Sequence, residues 1–303
     1  MNPDQRNPMD VYRSILITGG GGMLAHALVD ALAARGLKPL AIRRAECDIA
    51  NAEDVSRLFR EHRPTLLLNC AAHTGVDLCE DEPRKANAIN GEGPGNLARA
   101  AKEYKTRLIH FSTDFVFDGQ SERPYRTEDR PNPVSAYGAS KLLGERLIQE
   151  IDPEGWLVLR TAWLFGRHGN CFPQTMVKLA RAGKPLRVVS DQRGSPTSTL
   201  DLADATLRLL DQGAQGVFHL TNSGITSWYD FASATLKAFG ISADLAPVPT
   251  ADWLRVRPKQ AKRPAYSGLD CSCYTTATGK TMRPWAEALA DYRQNSGLDG
   301  ELS

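Results

Sequence analysis

The sequence predicts an α/β fold: a doubly wound parallel sheet with a smaller C-terminal lobe over the carboxyl ends of its strands. Three observations carry that expectation. Short continuous apolar runs at Ser14–Thr18 (SILIT), Thr65–Cys70 (TLLLNC) and Arg107–Ser112 (RLIHFS) read as strands buried on both faces. Between them lie stretches with apolar residues at helical spacing. A glycine cluster, Gly19–Gly22, follows the first run directly. Strands separated by helices are what a parallel sheet needs, because each crossover must carry the chain back to the starting edge.

The elements follow in order. Met23–Arg35 sets Leu24, Ala27, Leu28, Ala31 and Leu32 on one helical face, and Lys38–Ile42 is a second strand. Asn51 is placed to cap a helix running to about Glu61, since a short amide side chain accepts from the free N–H groups of a first turn. Arg84–Tyr104 reads as one long helix. Asp118–Val134, with its prolines, glycine and charges, reads as a long loop beside the sheet edge. Ser135–Glu150 is a helix, and Trp156–Arg160 (WLVLR) returns to the sheet. Asn170–Ala182 is a helix stopped at Gly183, where a left-handed residue costs glycine little. Leu186–Val189 is a further strand and Leu200–Asp211 a helix. Beyond Gly216 the elements become isolated: Val217–Leu220, a helix after Ser227, and a proline-rich stretch from Pro247 to Pro264, all assigned to the smaller lobe.

The chain of 303 residues is long enough for a substantial core, and its 42% hydrophobic and 24% charged residues are ordinary for a globular protein. A net charge of +2, from 37 basic and 35 acidic residues, gives no general pull toward nucleic acid or membrane. No stretch approaches the ~20 apolar residues of a membrane span. Residues 1–13 are polar and read as a flexible leader on a cytoplasmic protein, with Met9 as an alternative start; Asn295–Ser303 reads as a mobile tail. Six scattered cysteines, without paired Cys-x-x-Cys spacing, are expected reduced and structural. His26, His73, His110, His168 and His219 are expected in packing or hydrogen-bonding roles, and His62 at a solvated helix end.

The glycine cluster is the first chemical signal. Thr18-Gly19-x-x-Gly22-x-x-Ala25 stands between a strand and a helix, where glycines let a pyrophosphate approach the N–H groups of the helix start. A purely structural turn is the alternative. Gly19, Gly22, Met23 and Leu24 are thus candidate dinucleotide contacts. An NAD-selective site places an acid at the end of the second strand; here stand Arg43 and Arg44, whose guanidinium forks suit a 2′-phosphate. NADPH is therefore expected, with NADH as the alternative cofactor and a solvated basic turn as the other reading of the arginines. Residues 14–165 and 186–215 are assigned to this dinucleotide-binding domain, and 166–185 and 216–303 to the smaller lobe.

The second signal is Tyr137-Gly138-Ala139-Ser140-Lys141. Tyrosine and lysine four apart share a helix face, and an ammonium is expected to pull a phenol down from its ordinary pKa of about 10 toward working pH. Thr113, at the end of the fourth strand, is placed to polarise a carbonyl oxygen. Thr113, Tyr137 and Lys141 are the candidate catalytic residues, and Tyr137 and Lys141 are candidate cofactor contacts as well, the lysine placed to hold the nicotinamide ribose.

In this order the features resemble the extended short-chain dehydrogenase/reductase superfamily, and within it the dTDP-4-dehydrorhamnose reductase family. The resemblance runs from about Ile15 to beyond Asp270. It rests on Asn69–Asp77 (NCAAHTGVD), Ser112–Gly119 (STDFVFDG), Arg160–Gly166 (RTAWLFG), His168–Phe172 (HGNCF), Asp191–Thr197 (DQRGSPT), Thr226–Tyr229 (TSWY) and Arg263–Ala265 (RPA). It implies a Rossmann-like fold that reduces the C4 ketone of a dTDP-sugar with NADPH. It puts Asp48 and Ile49 at the adenine, Ala71, Ala72 and Thr74 along the cofactor, and Val76, Asp114 and Trp163 at the substrate, although Trp163 also reads as a core aromatic. Phe115, a further substrate-side candidate, stands where the family usually has tyrosine. A dehydratase would need an acidic residue at that position. A sugar-nucleotide epimerase, another sugar-nucleotide reductase, and a non-catalytic module resembling the regulatory β subunit of methionine adenosyltransferase remain alternatives. The resemblance allows for a homodimer and for association through a divalent cation, but no acidic ligand set maps onto this C-terminus, so no metal residue is assigned.

Overall fold

The computed structural model describes residues 8–298. Strands β1 (Ile15–Thr18), β2 (Leu40–Ile42), β3 (Leu66–Asn69), β4 (Arg107–Thr113) and β5 (Leu157–Thr161) lie parallel in one sheet with the strand Gly216–His219. Across the sheet the order is Gly216–His219, β5, β4, β3, β1, β2. The chain reverses direction of winding beyond β1, so the carboxyl ends of β1 and β3 flank the switch point where such sheets open a crevice. The helices are α1 (Met23–Ala34), α2 (Ala52–His62), α3 (Val76–Asp81), α4 (Pro83–Ala86), α5 (Gly93–Tyr104), α6 (Ala136–Ile151), α7 (Phe172–Arg181), α8 (Thr199–Asp211), α9 (Trp228–Ala238) and α10 (Thr250–Val256), followed by Ser272–Thr278 and Trp285–Asn295.

The continuous apolar strands are explained by two cores. Ile15 and Ile17 of β1 join Leu66 and Leu68 of β3 beneath α1 and α8. Leu16 and Leu67, one residue on, point the other way and pack with Leu97 and Ala101 of α5 and Phe59 of α2. Asn51 caps α2 as expected, its Oδ1 accepting from the N–H groups of Glu53 (2.9 Å) and Asp54 (3.3 Å). Gly183 takes the expected left-handed turn after α7, with φ +65°. All six cysteines are unpaired.

Several expectations need correction. Gly216–His219, assigned to the smaller lobe, is the sixth strand of the main sheet and pairs with β5 through Val217–Val158 and Phe218–Leu159. Leu186–Val189 is a strand, but it pairs with Leu245–Val248 in a separate two-stranded sheet packed on α7 and α9. The long helix expected over Arg84–Tyr104 widens into a π-helical segment at Asn87–Glu92. That widening accommodates α6: a Cβ on Gly144 would stand 2.3 Å from the Asn90 carbonyl oxygen, so the two helices meet backbone to backbone. Pro8–Val11, assigned to the leader, forms a 3₁₀ turn whose Met9 is fully buried in the core under α1 and α8. Leu298, assigned to the tail, is buried, and its carbonyl accepts from Arg181 at 2.7 Å. The rest of the expected leader (1–7) and tail (299–303) lies outside the described residues. No helix among the described residues is long and apolar enough to cross a membrane.

Candidate active site

At the carboxyl ends of β1, β2 and β3 the chain leaves a cleft of about 840 Å³. Gly19, Gly22, Arg43, Arg44, Asp48, Ile49, Ala71, Ala72 and Thr74 all line it. The glycines have separate reasons. Gly19 has φ +71°, and a Cβ there would meet the Ala71 nitrogen at 2.7 Å; a Cβ on Gly20 would meet the Ala41 backbone at 2.9 Å. Gly21 faces open space, so the cleft wall is bare backbone at that point. Gly22 N-caps α1 without a side-chain bond, leaving the first N–H groups of the helix without intrahelical partners. Exposed donors, a positive helix end and two arginines fit a dinucleotide pyrophosphate with its 2′-phosphate.

Two of the candidate cofactor residues turn away. Leu24 is buried in the core under α1, and Met23 packs against the aromatic cluster of the smaller lobe. Only their backbone N–H groups remain for an anion. Arg44 is already engaged, its Nη2 donating to Asp48 Oδ2 at 2.9 Å. His26 and Cys47, expected only in packing or structural roles, also line the cleft. His26 lies against His168, ring centroids 4.5 Å apart and planes tilted by 32°.

Thr113, Tyr137 and Lys141 converge at the end of β4. Ser135 caps α6, its Oγ accepting from the Gly138 N–H at 3.1 Å. Gly138 then admits α6 against the turn after β4, where a Cβ would stand 2.2 Å from the Phe115 oxygen. That contact sets Tyr137 beside Thr113, near enough for the threonine hydroxyl to favour the ionised phenol. Phe115 lies edge-on to the Tyr137 ring, centroids 5.6 Å apart. Thr113 Oγ1 also donates to Asp114 Oδ1 (3.0 Å) and accepts from the Phe115 N–H (3.2 Å).

The expected effect of Lys141 on Tyr137 is not what the structure shows. Burial pushes the Tyr137 phenol up from its ordinary value, the nearby Thr113 hydroxyl only partly offsetting it. Lys141, 2% exposed, donates to the Phe111 carbonyl at 2.6 Å instead, and burial lowers its own pKa from 10.5 to about 8 against the opposing pull of Glu145. Asp114, also 2% exposed, is raised by burial to about 6, the nearby Ser267 hydroxyl and the Thr113 bond pulling the other way, and its Oδ2 has no hydrogen-bond partner.

Val76 opens α3 directly after Gly75; Gly75 and Leu78 line the cleft, and Val76 is not among its lining residues. Its neighbour Asp77 accepts from the Ala261 N–H (3.1 Å) and pairs with Arg263 (2.9 Å), tying the cleft to the smaller lobe. Trp163 stacks on Trp228 at 3.6 Å and packs closely over Gly194, so its core reading holds in part. Yet its φ is +47°, a strained conformation for a bulky side chain and one that clusters at ligand sites. Trp228 in turn borders a second cavity of about 290 Å³ between α7, Leu186–Val189 and α10, walled by Phe172, Met176, Trp253, Arg187, Gln192 and Arg263. These residues come from distant stretches of chain; Phe172, Gln192, Trp228 and Arg263 fall in blocks that carry the family resemblance, although no site role is expected of them there. Among the described residues no group of three or more His, Cys, Asp or Glu side chains could hold a metal.

A glycine turn after β1, a strand-end threonine and a Tyr–Lys pair on the crossing helix define a nicotinamide-dependent oxidoreductase of the short-chain dehydrogenase type. Residues 13–297 match the RmlD substrate binding domain, and the chain belongs to that family, the dTDP-4-dehydrorhamnose reductase family. It is 40% identical to the dTDP-4-dehydrorhamnose reductase of Mycolicibacterium smegmatis over 96% of this chain and 88% of the relative. The crystal structure of the Clostridium acetobutylicum dTDP-4-dehydrorhamnose reductase superposes with a TM-score of 0.88 at 40% identity, covering 93% of this chain and 98% of that one. The Bacillus anthracis enzyme, solved in complex with NADP, also gives 0.88, at 32% identity over 92% and 98%.

Proposed function

We propose that the chain reduces the C4 ketone of dTDP-4-dehydro-6-deoxy-L-mannose with NADPH, giving dTDP-L-rhamnose, in the cytoplasm. The observation that carries this is the seating of α6 against the turn after β4, which sets Tyr137 beside the strand-end Thr113, one strand from those that open the glycine-lined cleft, in a chain whose relatives carry that activity in their names. The nicotinamide, when bound, supplies the hydride. Thr113 holds the ketone oxygen by its hydroxyl. Tyr137 gives that oxygen its proton as the C–H bond forms, so hydride and proton together convert C=O to CH–OH. Burial suits this role, because a phenol held well above neutral pH keeps its proton until an alkoxide, a stronger base, develops beside it.

The glycine turn and the N-terminus of α1 hold the pyrophosphate, and Arg43 with Arg44 favours the 2′-phosphate. The second cavity suits the nucleotide end of the substrate. Its aromatic walls take a base, and Arg187 and Arg263 stand beside it for a diphosphate. Mixing the protein with dTDP-4-dehydrorhamnose and NADPH and following the nicotinamide absorbance tests the reading. Consumption of NADPH with formation of dTDP-rhamnose is expected; absence of turnover overturns it.

A further inference from the structure

Behind Lys141 runs a chain of buried polar groups that the proposed reaction does not use. Asn69, at the end of β3, accepts with Oδ1 from the Thr18 hydroxyl (2.7 Å) and from the Ala71 backbone N–H (3.2 Å). Its Nδ2 faces His110 Nδ1 at 2.9 Å, and His110 Nε2 faces Lys141 Nζ at 3.3 Å. Thr18 and Asn69 are each 1% exposed and His110 is 0% exposed.

The identity of every hydrogen in this chain follows from one fixed donor. A backbone N–H can only donate, so Ala71 requires oxygen at the near end of the Asn69 amide; the flipped amide would set donor against donor. Asn69 therefore presents its NH₂ to His110, and Nδ1 must accept. A neutral imidazole that accepts at Nδ1 carries its hydrogen on Nε2. Burial, with the nearby Lys141 charge, holds His110 neutral, its pKa well below the ordinary value. The Nε2–H consequently points at Lys141 Nζ, which already donates to the Phe111 carbonyl. Only an amine, with a lone pair, can accept that hydrogen; an ammonium must turn away from it.

We infer that His110 is a positioning residue: its Nε2–H, oriented by Asn69 from the Ala71 N–H, favours the amine form of Lys141 in the free protein. The other charged or titratable groups around Lys141 are Cys70 after β3, and Tyr137 and Glu145 on α6 itself. Burial keeps Cys70 a thiol, and Glu145 is neutralised by Arg160. None of them supplies a fixed donor to the Lys141 lone pair.

The test is ¹⁵N NMR of the full chain without nucleotide, labelled at histidine and lysine. His110 is expected to show a protonated Nε2 and an unprotonated Nδ1 throughout the neutral range, with Lys141 titrating near 8. Asn69→Asp replaces the NH₂ by an acceptor, which moves the imidazole hydrogen to Nδ1 and leaves Nε2 to accept from the ammonium. The Lys141 midpoint should rise by about one unit, a tenfold change in the amine-to-ammonium ratio. In a His110→Phe background the same substitution should move it much less, because phenylalanine transmits no tautomer. An unprotonated Nε2 in the wild-type protein overturns the inference even if the variants do not fold. So does an equal Asn69→Asp shift in both backgrounds. Neither outcome touches the proposed ketone reduction, which fails or stands on NADPH turnover alone.

Discussion

Helix α6 buries two opposite charges one turn apart and treats them differently. Glu145, fully buried, is held by Arg160 through Nη2 at 2.7 Å and Nε at 3.0 Å, and the Ser112 hydroxyl donates to the same carboxylate. Arg160 reaches on to His219 Nε2 at 3.4 Å and lies over the Phe117 ring, 5.2 Å from its centroid. Lys141, buried as deeply, has a carbonyl and a neutral imidazole but no carboxylate within bonding reach. The first charge is fully matched and fixes the fold behind the site. The second is left short of an anion, and burial moves its pKa into the range where proton chemistry works. Side chains of the same helix therefore divide into an end proposed to perform chemistry and an end that holds it still.

The sharpest way to break that division is at Tyr137. Tyr137→Phe removes the proton donor and keeps the ring against Phe115, so kcat should fall by roughly 10²–10⁴-fold with NADPH affinity and Tm near wild type. A large loss of Tm, or turnover near wild type, would mean that this end of α6 is structural. At the other end the signs reverse. Glu145→Leu strands Arg160 as an unpaired buried cation, expected to cost about 3–5 kcal/mol in denaturant unfolding, and Glu145→Leu with Arg160→Met should recover most of it.

Lys141 adds a pH signature that Glu145 lacks. A fall from 10.5 to about 8 in the folded protein corresponds to on the order of 3 kcal/mol of native-state cost, present in full below pH 8. Between pH 8 and 10.5 the unfolded chain keeps a proton on this lysine that the folded chain has released, so its contribution makes stability rise with pH across that window. Lys141→Met should stabilise the fold at pH 7, flatten this rise and abolish most turnover. Chemical unfolding at several pH values checks it, and an unchanged slope would show that Lys141 is not the group responsible.

How much of this division is legible in the sequence depends on the distance over which each part is specified. The β1–glycine–α1 unit and the Tyr137–Lys141 pair are local, set by spacing along one turn or one helix, and both fall where expected. The strand Gly216–His219 looks isolated because its partner β5 lies far upstream, and only pairing reveals it as part of the sheet. The π-helical segment at Asn87–Glu92 is dictated by the approach of Gly144 from another helix, which no window over Arg84–Tyr104 contains. The sense of the Tyr137 shift was missed for a related reason. A Tyr-x-x-x-Lys spacing shows proximity, but not that the Lys141 nitrogen is turned to the Phe111 carbonyl, nor that surrounding protein desolvates the half-buried Tyr137.

The exposed end of the cofactor cleft offers the smallest effect and a contrast with everything on α6. Arg44 is 66% exposed and shares a salt bridge with Asp48, so solvent screens most of what it contributes to the fold. Whatever selectivity it gives must come from the ligand's 2′-phosphate, through charge-assisted bonds worth roughly 1.5–3 kcal/mol before screening. Arg43→Ala with Arg44→Ala should therefore weaken NADPH binding by about tenfold, leave NADH binding nearly unchanged and leave Tm within error. The loss should shrink as salt is raised, because exposed charges are screened over about 10 Å at 0.1 M. Equal losses for the two cofactors would place the arginines on the pyrophosphate, and no loss for either would reduce them to a solvated turn.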